Sequence, residues 1–204
     1  MRSRPAQPDH AVRRIVRLSL IALPLVLGSC SKIVFQPAPV VPTKSPLPYS
    51  AKVKLIQIDA YLVEPGATMI ADPNLDNHVT GIADSLGPAK KEWEHSIMDY
   101  LAARKTFTYL SADSQTDLEL AMRLNIYIDP GVQFKFNHVY VARAEATLSH
   151  PRTGGPTTYQ GTGKAAGAVL RGGREDDRGP INVAVQSALN ELFSKIENDP
   201  RLRR

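Results

Sequence analysis

Along residues 118–128 apolar and polar positions alternate without a slip. Leu118, Leu120, Met122, Leu124, Ile126 and Ile128 fall on one parity, and Glu119, Ala121, Arg123, Asn125 and Tyr127 on the other. A period of two over this length predicts a half-buried strand. Asp129-Pro130-Gly131 turns the chain, and the even positions continue inward as Phe134, Phe136, His138, Tyr140, Ala142, Ala144, Ala146 and Leu148. Opposed residues of an antiparallel pair share a face. A three-residue loop therefore pairs Ile126 with Phe134 and Leu124 with Phe136, and sets Asp117 opposite Arg143 on the outer face. His138, on the apolar face, is expected to be a hydrogen-bonded core residue.

Residues 52–63 (KVKLIQIDAYLV) read as another strand, rich in β-formers. Its apolar phase shifts between Leu55 and Ile56, which calls for a bulge or for burial on both faces. Pro88 suits a helix start, and Trp93, Ile97 and Leu101, with Tyr100 beside them, recur at helical spacing; 88–104 is predicted helical. A further strand is expected near 157–169, where Gly161, Gly163, Ala165, Ala166 and Gly167 imply close packing or a bulge. RGGREDDR (171–178) reads as a loop, and Pro180 opens a last helix. Ile181, Ala184, Val185, Ala188, Leu189, Leu192, Phe193 and Ile196 make its apolar stripe, and Asn198–Pro200 stop it.

The expected order is β-α-β-β-β-α. This is an α+β two-layer sandwich: a mainly antiparallel sheet with two helices packed on one face. The opposite face carries Glu119, Arg123, Asn125, Lys135 and Glu145 and is expected to be wet. Val139 and Val141 lie among them, either as a small partner-facing patch or as β-formers with exposed methyls.

The chain begins differently. Arg2, Arg4, Arg13, Arg14 and Arg17 precede a short apolar run, Leu18–Leu27, and then Gly28-Ser29-Cys30, which holds the single cysteine. That run is too short to cross a ~30 Å hydrocarbon core, which takes about twenty residues; it has the form of a cleaved export signal. Arg13-Arg14 fits the twin-arginine export route poorly at Val16-Arg17, so the general secretory route is expected. Leu27-Gly28-Ser29-Cys30 resembles the lipobox of bacterial lipoproteins. The resemblance implies cleavage after Ser29, acylation of Cys30 on sulfur and amine, and attachment to a membrane. At ~0.8 kcal/mol per buried methylene, three chains make release negligible. Ser31, where aspartate would favour inner-membrane retention, points to the outer membrane and a periplasm-facing body. Pro37, Pro39, Pro42, Pro46 and Pro48 follow, so 30–50 is read as the lipidated cysteine and an extended tether. It would span roughly 60 Å at about 3.1 Å per residue. Residues 51–204 then form one domain.

Charge adds little once the leader is set aside. Residues 1–29 hold five of the 25 basic and one of the 20 acidic side chains, leaving 20 and 19 over the remaining 175 residues. The basic pI is mostly a targeting signal, and no nucleic-acid partner is implied. The basic tail Arg201-Leu202-Arg203-Arg204 reads as a solvated end. One thiol excludes an internal disulfide.

Chemistry is scarce. There is no HExxH, no G-x-S-x-G and no paired-cysteine metal site. GTGKAAG (161–167) fails as a phosphate loop, with Thr158 and Ala165 where glycine and Ser or Thr are needed. His78, His95 and His138 fall on a loop, a helix and a strand. The connection 64–87 is long enough to need a reason. Asp72, Asn74 and Asp76 occupy the first, third and fifth positions of a calcium-loop pattern, but Asn77 replaces its glycine and Ala83 its last glutamate. With His78 these residues make either a recognition loop or a connection of no particular role. No metal or other cofactor is expected.

The element order is similar to that of several small envelope lipoproteins: the lipopolysaccharide-assembly lipoprotein, penicillin-binding-protein activators and transporter-associated auxiliary lipoproteins. The chain lacks the Gly-Phe-x-Leu-Arg-Gly segment of the first of these, and no single family follows. The resemblance implies a non-enzymatic lipoprotein, an accessory or docking component of an outer-membrane or cell-wall assembly or transport system, with an envelope protein as partner. The alternative is a periplasmic hydrolase or small-ligand binder using the 64–87 loop.

Overall fold

In the computed structural model, the described residues are 34–61, 90–111, 115–129, 137–150, 154–168 and 175–203. The chain divides into two units, Met1–Cys30 and Ser31–Arg204, and every described residue belongs to the second. Its elements are β1 (Leu47–Tyr61), α1 (Lys90–Arg104), β2 (Phe107–Ser111), β3 (Leu118–Ile128), β4 (Asn137–His150), β5 (Gly154–Ala168), α2 (Glu175–Glu197) and a 3-10 turn (Pro200–Leu202).

The fold is α+β, as expected, with one correction of order. β2 is a strand that the sequence pattern does not predict, and the five described strands lie in the order β2-β1-β3-β4-β5. β1 runs parallel to both its neighbours, while β3-β4 and β4-β5 are antiparallel. β2 ends beside Lys52 and β3 begins beside Ala51, so they occupy successive halves of β1 on opposite sides. The phase shift in β1 is a bulge: Val53 pairs with Leu120 and Leu55 with Ala121, leaving Lys54 extra. Lys54 bonds Glu119 at 2.7 Å.

The β3-β4 hairpin keeps the expected parity but not the expected register. Ile126 pairs with Ala142 and Leu124 with Ala144, and Arg143 stands opposite Asn125, not Asp117. The Asp129 N–H donates to the Val139 carbonyl at 2.9 Å, continuing the same register. Alternation fixes parity alone, and a slide of eight residues leaves every side chain on its face. Phe134, Phe136 and Lys135 lie outside the described residues, as does the His138 side chain.

The even positions of β3, and those of β4 from Tyr140 to Leu148, are buried, together with Trp93, Ile97, Tyr100 and Leu101 of α1 and all eight apolar positions of the α2 stripe. α2 begins before its expected start, taking in 175–178, which the sequence pattern assigns to a loop; Pro180 sits in its second turn. There the ring removes one backbone donor and crowds the carbonyl four residues back. The glycines of β5 permit close packing. A Cβ on Gly161 would lie 2.2 Å from the Ala188 carbonyl oxygen, and one on Gly163 would lie 2.0 Å from that of Ala184. Lys105, with φ 58°, ends α1 in the left-handed region and turns the chain into β2. Both helices run the same way: Phe35 and Gln36 touch their early turns, while Arg104 and Glu197 meet at their ends.

Candidate functional site

The segment expected to be a free tether is, from Val34 onward, part of the folded body. Phe35 is fully buried and stacks on Trp93, with ring centroids 5.8 Å apart and planes 22° from parallel. The prolines explain how the rest is held. Pro37 and Pro39 have no N–H to satisfy, so only the alternate amides need acceptors. The Gln36 N–H donates to Asn182 Oδ1 (2.7 Å) and the Ala38 N–H to Gln186 Oε1 (3.1 Å). Two residues of extended chain advance about 6 Å, and one i to i+4 step on a helix rises about the same. The strap and α2 therefore match in pitch. Farther on, the Thr43 N–H donates to the Arg104 carbonyl (2.8 Å) and the Leu47 N–H to that of Thr106 (2.7 Å), where β1 begins. The proline count concealed the one aromatic residue that mattered.

A second arrangement closes the far ends of the helices. Arg104 and Glu197 are 8% and 6% exposed. Arg104 grips Glu197 with two hydrogen bonds, Nε to Oε1 at 2.8 Å and Nη2 to Oε2 at 2.9 Å. The Thr106 hydroxyl donates to Glu197 Oε1 at 2.6 Å. Arg104 Nη1 reaches both Tyr100 Oη and Asn190 Oδ1, and the Tyr100 hydroxyl also donates to Asn190. Burial works against the charge on Arg104, but the hydrogen bonds and charges of Glu197 and Tyr100 together outweigh it and hold the guanidinium more basic than usual. Burial pushes the Tyr100 hydroxyl up. Both ions are paired and hydrogen-bonded; the arrangement is a clamp. A sequence signal existed, since Arg104 and Glu197 each prolong the apolar stripe of their own helix.

Beyond α2, Asp199 accepts from the Arg201 guanidinium (2.6 Å) and from the Tyr159 hydroxyl (2.6 Å). Arg201 holds the carboxyl well below the usual carboxylate range, with Tyr159 and the Arg201 N–H assisting. Burial, then donation to Asp199, pushes Tyr159 up to about 12. The basic tail is in this respect bound rather than solvated.

A serine, an aspartate and a histidine also meet beside the start of β3. The Ser50 hydroxyl donates to Asp117 Oδ2 (2.7 Å), as does the Ser50 N–H (2.8 Å), and together they hold Asp117 below its ordinary value. His150 stands edge-on to Tyr49, ring centroids 5.7 Å apart. A nucleophile relay places the imidazole between hydroxyl and carboxylate. Here the serine bonds the carboxylate directly, so the group pins β3 to β1 and does not activate Ser50.

No family model matches the chain, and no curated protein is found to be similar to it. Among solved structures it is similar to protein XCC0632 from Xanthomonas campestris, described under DUF330. That likeness has 12% identity and TM-score 0.47, over 80% of this chain and 97% of that one. A putative neuraminyllactose-binding hemagglutinin homolog from Helicobacter pylori gives 12% and 0.38, over 84% and 94%. The hypothetical protein CT253 from Chlamydia trachomatis gives 10% and 0.35, over 72% and 95%. Likenesses this faint transfer neither family nor function.

Of the residues singled out from sequence, Cys30, Asp72, Asn74, Asp76 and His78 lie outside the described residues. Val139 is half-buried, but Val141 is only 1% exposed, which corrects its reading as a partner-facing or exposed side chain. Val141 stands across the sheet between Tyr127 and Lys164, with Arg143 beside it on the same face. A short side chain among such tall ones is overshadowed. Among the described residues no three His, Cys, Asp or Glu side chains are grouped to hold a metal ion. No described helix is long and apolar enough to cross a membrane.

Proposed function

We propose that this chain is a lipid-anchored, non-enzymatic lipoprotein of the bacterial cell envelope. It would sit on the outer membrane facing the periplasm and serve as an accessory or docking component of an assembly or transport system. One observation carries the reading: Leu27-Gly28-Ser29-Cys30 ends a short apolar run directly before a folded body. Lipid chains on Cys30 would give that body a permanent address. The polar clusters described above support a docking role, because each is satisfied internally and binds one element of the fold to another. The test is incorporation of radiolabelled palmitate into the wild type and Cys30→Ala, with fractionation of both. Label and membrane association are expected in the wild type and lost in the variant. Equal fractionation of the two would overturn the anchor. Crosslinking in intact cells should then recover a discrete envelope protein, and recovery of none from abundant protein would overturn the docking role.

A further inference from the structure

We infer that the end of the body where α1 and α2 begin is held against the phospholipid surface to which Cys30 is fixed, and that chain length holds it there. The inference rests on the lipidation proposed above. A free tether over 30–50 would let the body stand roughly 60 Å off. The buried Phe35 removes that freedom. Four peptide steps separate Cys30 from Val34, and at about 3.6 Å each they reach at most ~14 Å. Phe35 is stacked on Trp93, one turn into α1, and Gln36 is bonded to Asn182, early in α2. Lys90, Lys91 and Val183, all exposed and close to those two contacts in the helices, lie on this end; Val183 is 59% exposed.

Charge does not select this orientation. Lys90 and Lys91 are followed by Glu92 and Glu94, and Arg178 is preceded by Glu175, Asp176 and Asp177. With both signs among the described residues of this end, anionic lipid gains no net attraction from them. The contact is enforced by effective concentration, which a short link keeps high without intrinsic affinity. Lys44, next to the Thr43 bond to Arg104, belongs to the opposite end and points the other way along the helices.

The lipidated, signal-cleaved protein is reconstituted into phosphatidylcholine vesicles that include a headgroup-nitroxide phospholipid. Because the acylated cysteine cannot be labelled on sulfur, Lys91→Cys and Lys44→Cys each carry a single fluorophore. Quenching is expected to be several-fold stronger at position 91 than at 44, and unchanged by salt or by added phosphatidylglycerol. A Gly-Ser insertion of about twelve residues after Ser31, adding roughly 20 Å of mean reach, should abolish the difference. Equal quenching at both positions, a difference that survives the insertion, or one that disappears in high salt would overturn the inference. Flotation of the same vesicles separates the two readings. Protein that floats but is quenched equally refutes the orientation alone, whereas protein that fails to float refutes the anchor and the orientation with it.

Discussion

Under α2 the sheet presents Ala142, Ala144 and Ala146 from β4 and Gly161 and Gly163 from β5. On the α1 side the helix packs toward β1, and the space is filled by Trp93, Ile97, Tyr100 and Leu101 with Phe35 laid in from outside. The two helices cover one sheet by opposite means. α2 comes close because the sheet has given up its side chains; α1 is kept in place by large side chains, a strap and a clamp. Close contact of backbones tolerates no added atom, whereas a filled gap tolerates no removed one. The halves should therefore fail under opposite kinds of substitution.

The largest loss is expected on the α1 side. Arg104→Ala leaves Glu197 buried without its partner and should cost about 3–5 kcal/mol of unfolding free energy, read by urea denaturation. Arg104→Met combined with Glu197→Leu should recover most of it, since a buried pair replaced by apolar groups is often near neutral. If the double variant is as weak as the single one, the clamp stabilises by more than pairing. Phe35→Ala should follow, at about 3 kcal/mol; no change would mean that the strap does not hold the body. On the α2 side the sign of the volume change reverses. Gly163→Ala adds one carbon against helix backbone and should cost about 1–3 kcal/mol, while the same substitution at the open position Gly155 should be close to silent.

Acid and base separate the halves more gently. Asp199, Asp117 and Glu191 all have carboxyl pKa values held below the ordinary range. Their contribution is present above about pH 4 and is lost as pH falls through their lowered values. Asp199, on the α2 side, is held farthest down, so Asp199→Asn should flatten the acid limb of a melting curve more than Asp117→Asn. Tyr159 keeps its proton to about 12, so its contribution should fade between about pH 10 and 12. The smallest effect is at the β5 edge, where Glu191 accepts from the Thr162 N–H and Lys195 donates to the Gln160 carbonyl. Glu191→Ala with Lys195→Ala should change stability by under ~1 kcal/mol yet raise self-association in light scattering, because those edge groups become free to pair. Unchanged scattering would show that the edge is protected by other means.

The sequence made faces legible and offsets illegible. Alternation in β3 and β4 told which residues point inward, because one wrong step would expose Leu124 and Ile126 together. It was silent on a slide of eight, which costs no side chain its environment. β2 escaped notice because FTYLS is five residues long and leaves Tyr109 61% exposed; a period cannot be read from so little. The strap escaped because its prolines describe backbone conformation and say nothing about what Phe35 touches. Arg104 and Glu197 escaped because a lone charge in a last helical turn ordinarily faces water, and only the other helix reveals the partner. Of the residues named for function, the structure placed Val139 and Val141 alone, and it removed Val141 from the surface.

β1 lies between β2 and β3, and its partners come from residues 107–111 and 118–127. The ribosome therefore finishes this apolar strand before either neighbour has been made. At about 5–20 residues per second, the wait between Tyr61 and Leu118 lasts roughly 3–11 seconds. β4 and β5, separated by three residues in the chain, need no such delay. An unfolded chain thus carries its own hazard at its leading end, and a holdase that shields residues 47–61 during that interval should raise the yield of native protein more than one that shields any later strand.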